Sequence, residues 1–101
     1  MINVNLTEIH MIMTRNYGTR NMTIETKVPH QHFIKPKEMK IIFDFDSECY
    51  IDMQKLNKRI DKHICGVRNY FVSVVKDKIE IQIVFSWGRK LKDYDFEFSL
   101  N

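Results

Sequence analysis

Two carboxylates lie two residues apart at the end of an apolar run. The run begins at Ile41 and ends in Asp44 and Asp46, with a phenylalanine between the two acids. Closely spaced carboxylates can bind a divalent cation, and one of them can act as a nucleophile while the other does acid or base work. If these side chains do chemistry, the pattern favours metal-assisted transfer or hydrolysis of a phosphoryl group.

The segment IIFDFDSE, residues 41 to 48, resembles the nucleophile strand of the haloacid dehalogenase phosphatases. The resemblance would make Asp44 the nucleophile and Asp46 the acid/base group beside magnesium. It ends after these residues, because the family continues with Gly-Thr where this chain has Ser47 and Glu48. The rest of the chain is also too short for the family's parallel α/β core. We therefore predict that Asp44 faces solvent and that Asp46 caps a helix, and we keep a magnesium-dependent phosphohydrolase as a remote alternative.

Histidine and cysteine side chains could supply zinc ligands, but their spacing is not that of a metal site. His30 and His32 lie in a predicted loop, and no Cys-x2-Cys or His-x3-His pattern accompanies them. Cys65 has no positioned base, because His63 lies two residues away on a predicted helix and so points to a different side. We expect no metal, no cofactor and no enzymatic activity.

Cationic side chains form the most informative pattern. Four of them follow one another at i, i+3, i+4 and i+7 of a predicted helix, opposite its apolar positions. Others stand beside aromatic residues in a predicted loop and a predicted turn, and such combinations anchor protein interfaces or stack on nucleotides. The predicted partner-binding residues are Arg15, Tyr17, Arg20, Lys55, Lys58, Arg59, Lys62, Trp87, Arg89 and Lys90.

Two hairpins of strands are predicted, one on each side of a single helix. Alternation at Ile2, Val4 and Leu6, continued through Ile9 to Met13, predicts an opening strand. A loop over residues 15–21, a strand over 22–28 and a further loop over 29–38 follow. Residues 39–45 predict a strand, and residues 69–75, 79–87 and 91–100 predict three more.

The predicted helix lies between residues 46 and 66. Asp46 or Ser47 would cap it, and the apolar positions Cys49, Met53, Leu56, Ile60 and Ile64 recur at helical spacing up to Gly66. The order β-β-β-α-β-β-β predicts a single α+β domain over residues 1–101, an antiparallel sheet with one amphipathic helix packed on one face. One helix covers about 10 Å of sheet, so we expect a partner to cover the remaining apolar surface.

The composition is that of a small folded domain. The chain has 101 residues, a net charge of +3 and 44% hydrophobic residues, which is typical of a single globular unit. It contains no alanine and is rich in residues with AT-rich codons, which indicates an AT-rich genome such as that of a phage or large DNA virus. No secretory signal and no apolar run of membrane-spanning length is present, and two cysteines far apart on a helix could not pair. We therefore expect a cytoplasmic protein with no membrane association.

These features favour a binding protein over an enzyme. The first hypothesis is a small non-enzymatic accessory or inhibitor, encoded by a phage or virus, that binds a host protein; a homodimer would also complete the burial of the sheet. The alternative is a nucleic-acid-binding protein that uses the basic helix and the loop from Arg15 to Arg20. A net charge of +3 is modest for a dedicated nucleic-acid binder.

Overall fold

The computed structural model describes residues 2–27, 38–46, 48–85 and 96–98. These residues form an α+β fold built mainly from antiparallel strand pairs, which confirms the predicted class. The elements are β1 (Ile2–Val4), α1 (Leu6–Tyr17), β2 (Arg20–Lys27), β3 (Glu38–Asp44), α2 (Met53–Asp61), β4 (Ile64–Cys65), β5 (Asn69–Val75), β6 (Lys78–Val84) and β7 (Phe96–Phe98).

The first large difference from the predicted order is helix α1, which replaces most of the predicted opening strand. Asn5 caps it, because its side chain accepts a hydrogen bond from the backbone N–H of Glu8 at 3.1 Å. The buried side chains are Leu6, Ile9, Met13 and Tyr17, at spacings of three, four and four residues. Gly18 ends the helix with φ 60°, in the left-handed region. The predicted first hairpin is therefore wrong, and the predicted loop over 15–21 shrinks to residues 18–19.

A four-stranded antiparallel sheet with the order β2-β3-β6-β5 carries most of the core. Its inner face is apolar on the central strands. There, Ile41 and Phe43 of β3 pair with Ile81 and Ile79 of β6, and all four side chains are fully buried. The predicted strand over 39–45 is confirmed, and the strand over 69–75 has the predicted bounds.

The outer face of the same sheet is largely polar. Cross-strand neighbours on it include Lys40 with Gln82, and Asp44 with Lys78. Alternation of apolar and polar side chains along each strand therefore gives the sheet one buried and one solvated face.

A second, smaller sheet has the order β4-β1-β7. Strand β1 pairs antiparallel with β4 and parallel with β7. The predicted strand over 91–100 contributes Phe96–Phe98, and its remaining residues lie outside the described part of the chain. Of the predicted loop over 29–38, residues 29–37 also lie outside the described part, and Glu38 is the first residue of β3.

Helix α2 is shorter than predicted and begins later. Asp52 caps it and accepts from the N–H groups of Gln54 and Lys55, so the prediction that Asp46 or Ser47 caps the helix is wrong. Asp46 instead closes a turn after β3 by accepting from the N–H of Glu48 at 3.0 Å.

Two helices, rather than one, supply the apolar layer above the sheet. Leu56 and Ile60 of α2 join the same buried cluster as Ile9 and Met13 of α1. The helices have 12 and 9 residues, and within the described ranges none is long and apolar enough to cross a bilayer.

Candidate protein-binding surface

Strands β2 and β5 are the two edges of the large sheet, and they differ in charge. The outer side of an edge strand presents backbone groups that can pair with another chain, and charged side chains discourage such pairing. Strand β2 carries the exposed Arg20 and Glu25. Strand β5, with the sequence NYFVSVV, carries no charged residue, and within the described ranges no strand pairs with its outer side. Strand β5 therefore lacks the charged side chains that on β2 discourage pairing with another chain.

The backbone of β5 directs alternate residues to this open side. A two-residue turn, Lys76-Asp77, joins β5 to β6, so the flanking residues Val75 and Lys78 form a hydrogen-bonded pair. By alternation, Tyr70, Val72 and Val74 present their N–H and C=O groups to the open edge. The N–H of Tyr70 agrees with this assignment, because it donates to the side chain of Asn69 at 2.8 Å.

The exposed apolar side chains concentrate on the same strand. Phe71 and Val75 are each 53% exposed and lie on the outer face, while Val74 is 37% exposed and lies on the inner face. Among the large apolar residues exposed in the described ranges, the others are Ile24 on β2 and Tyr50 in a loop. We name the open backbone of β5 together with Phe71, Val72, Val74 and Val75 the β5 edge. It combines backbone groups that pair with no other strand in the described ranges with exposed apolar side chains, the two features that strand addition uses.

Tyr70 fixes the start of β5 against α2. Its hydroxyl donates to Asp61 Oδ1 at 2.7 Å. Partial burial, and then this hydrogen bond to a carboxylate, raise the pKa of Tyr70 to about 12. The β5 edge is therefore held by a side-chain contact at one end and by the β5–β6 turn at the other.

We expect Asp61→Asn to lower the pKa of Tyr70 while leaving it above the ordinary value of 10.0, because burial is the larger cause of the shift. The neutral phenol stabilises the fold. Its contribution is therefore complete below pH 10 and is lost as the pH rises from 10 through about 12. Phenolate absorbance, assigned by subtracting the titration of Tyr70→Phe, gives both pKa values. An unchanged pKa in Asp61→Asn would show that the hydrogen bond does not form.

The predicted basic residues of α2 divide into two groups. Lys55, Lys58 and Lys62 are exposed and make no ion pair within the described part of the chain. Arg59 is half-buried; its Nη1 donates to the Tyr17 hydroxyl at 2.8 Å, and its guanidinium carbon lies 5.7 Å from the centroid of the same ring. The three lysines, which we name the α2 lysine surface, are therefore available to a partner, while Arg59 joins the two helices.

The structure describes three of the other six predicted binding residues. Tyr17 is only 6% exposed and belongs to the core, so its ring offers little area to a partner. Arg15 lies in the last turn of α1 and Arg20 at the start of β2, so they do not share the loop that was predicted. The structure does not describe Trp87, Arg89 and Lys90, and their predicted role stays a prediction.

Asp44 and Asp46 each accept hydrogen bonds from neighbouring groups. Asp44 lies on the outer face, where its Oδ1 is 2.6 Å from Lys78 Nζ and its Oδ2 accepts from Asn21 at 3.4 Å. The hydrogen bond with Lys78 is the largest cause that lowers the pKa of Asp44, and the hydrogen bond from Asn21 lowers it further. Asp44 therefore faces solvent as predicted, within a surface ion pair.

The metal-ligating side chains do not assemble in the described part of the chain. No group of three or more histidine, cysteine or acidic side chains forms a site there. His10 stacks on Phe43 with ring centroids 6.4 Å apart. Cys49 and Cys65 are both free and exposed, and His30 and His32 lie outside the described residues.

Comparisons with protein-family models, with curated proteins and with solved structures return no match for this chain. The assignment of function therefore rests on the surfaces described above.

Sequence reasoning located β5 but missed its importance. The signal is present in the sequence, because five of the seven residues are valine, tyrosine or phenylalanine and none is charged, proline or glycine. Such a segment is prone to pair with other strands. The alternation pattern does not say whether such a strand lies at the centre or at the edge of a sheet.

Proposed function

We propose that this protein is a non-enzymatic binding protein that acts by contact with another polypeptide chain, which adds a strand to the β5 edge. The observation that carries the proposal is the contrast between the two edges of one sheet. The β2 edge carries charges, whereas the β5 edge is uncharged and holds Phe71, Val74 and Val75 exposed. Backbone hydrogen bonds along β5 would supply affinity, and the apolar side chains would supply specificity.

Two residues on opposite edges allow a matched test. Val74 and Ile24 are both branched aliphatic side chains on the inner face, exposed by 37% and 36%. Each lies on an edge strand beside a fully buried isoleucine, Ile79 and Ile41 respectively. Lysine at either position should cost similar, small amounts of stability, because each side chain already reaches solvent.

We expect Val74→Lys to abolish binding and Ile24→Lys to retain it. A charge on the β5 edge opposes strand addition there, whereas the same charge on β2 is remote from the proposed contact. The immobilised chain is incubated with a nuclease-treated lysate that also contains an untagged copy of the chain. The captured polypeptides are then identified by mass spectrometry. Partners that survive Val74→Lys, or that are lost equally with Ile24→Lys, would contradict the role of the β5 edge.

A second candidate, binding to nucleic acid, is favoured by the α2 lysine surface. Lys55, Lys58 and Lys62 extend from one helix toward solvent, and phosphate contacts by such residues weaken steeply with added salt. Capture that disappears on nuclease digestion and depends on these lysines would favour this candidate over strand addition.

A further inference from the structure

We infer that the strand added to the β5 edge is β5 of a second copy of this chain, antiparallel to the first, with the two-fold axis at Ser73. This inference rests on the proposed role of the β5 edge and names its occupant. The two four-stranded sheets would then form one continuous eight-stranded sheet, with the helices of both copies on the same face. An axis perpendicular to the sheet is the symmetry that pairs an edge strand with its own copy in this way.

The axis at Ser73 matches apolar side chains on both faces. On the outer face, Phe71 lies opposite Val75 of the second copy, which pairs the two side chains that are each 53% exposed. On the inner face, Val72 lies opposite Val74 of the second copy. Aromatic and β-branched residues directly across an antiparallel pair stabilise it. Each of the three exposed apolar residues of β5 thus gains an apolar neighbour on the second copy.

The backbone is compatible with this register. Val72 and Val74 both direct their N–H and C=O groups to the open side, so each can form a hydrogen-bonded pair with the other residue of the second copy. Ser73 then forms a pair that is not hydrogen-bonded, in which the two Cα atoms approach to about 4.5 Å.

Neighbouring registers are poorer. With the axis at Val72, Phe71 would lie opposite Ser73 of the second copy. With the axis at Val74, Val75 would lie opposite Ser73. Of these three registers, the axis at Ser73 is the one that pairs Phe71 with Val75. Apolar pairing therefore selects this register.

A cysteine at the axis tests the register directly. In a chain with Cys49→Ser and Cys65→Ser, which removes both exposed native thiols, we expect Ser73→Cys to form a covalent dimer when copper phenanthroline is added as oxidant. Two Cα atoms this close are within disulfide range. Asn69→Cys lies on the same strand and face but is roughly 27 Å from its copy in this register, so it should stay monomeric on a denaturing gel. Cross-linking at Asn69 alone, or equally at both sites, would overturn the register.

Sedimentation of the full chain over a range of concentrations measures its association state. It therefore tests whether a second copy binds the β5 edge. We expect a dimer for the wild type and for Ile24→Lys, and for Val74→Lys a dissociation constant about tenfold higher or more. A dimer that Val74→Lys leaves intact would overturn the inference. A wild type that stays monomeric while Val74→Lys abolishes capture of a different protein would overturn the second copy as occupant and leave the proposed function standing. A monomer whose capture of partners is insensitive to Val74→Lys would overturn both.

Discussion

Phe43→Ala is expected to lower the free energy of unfolding by about 3–5 kcal/mol, as for other buried phenylalanines. Phe43 is fully buried at the centre of the inner face, where it pairs with Met22 on one side and Ile79 on the other. His10 of α1 stacks on its ring. Truncation would leave a cavity between the sheet and α1 that these neighbours could fill only in part. Since small domains have about 5–15 kcal/mol of stability in all, much of the chain would be unfolded at moderate denaturant.

Phe71→Ala is the matched control for this substitution. The residue type and the sheet are the same, but the side chain is 53% exposed on the outer face. We expect a change of less than about 1 kcal/mol in the monomer, measured by urea unfolding at low micromolar protein so that self-association adds little. Equal losses for the two variants would show that Phe71 is packed as tightly as Phe43 and would remove a main support for the β5 edge.

The central strands could be predicted because their signal is local. In β3 and β6 every second residue is apolar, and the alternating side chains are buried in the structure at the positions that the pattern gives. A strand that loses its register by one residue would expose this whole set. Hydrophobic patterning alone therefore determines which face of these strands lies inside.

Helix α1 could not be identified in the same way, because its first half fits two periods. Ile9, Met11 and Met13 alternate as a strand would, while Leu6, Ile9 and Met13 also fit a helix. The two ends favour the helix over the strand. The Asn5 side chain caps its first turn through the N–H of Glu8, and Gly18 ends it. Asn5 and Gly18 stand at the two ends of α1 in the sequence, and residues of these types predict its bounds where the alternation does not.

The β5 edge depends on strand order, which is set by pairing between distant segments. Residues 20–27 and 69–75 lie far apart in sequence, and only the arrangement β2-β3-β6-β5 makes both of them edges. Sequence reasoning looked for binding residues among cations and aromatics. These residue types predict the α2 lysine surface, but they do not indicate that an uncharged strand has no partner on its outer side among the described residues.

Tyr17→Ala is expected to destabilise the protein by about 3–5 kcal/mol, although the sequence suggested Tyr17 as an anchor for a partner. The ring is buried in the core, and its hydroxyl accepts a hydrogen bond from Arg59 of α2. Tyr17→Phe keeps the ring and should cost about 1 kcal/mol, the usual net worth of one hydrogen bond. Arg59→Met removes the same bond and also the guanidinium over the ring, so it should cost somewhat more. Adding Tyr17→Phe to Arg59→Met should then cost little more, because the hydrogen bond is already absent. Urea unfolding of the four variants measures these differences. If Tyr17→Ala kept the stability of the wild type and lost only partner binding, Tyr17 would be an interface residue. That result would contradict its burial in the core and its contact with Arg59.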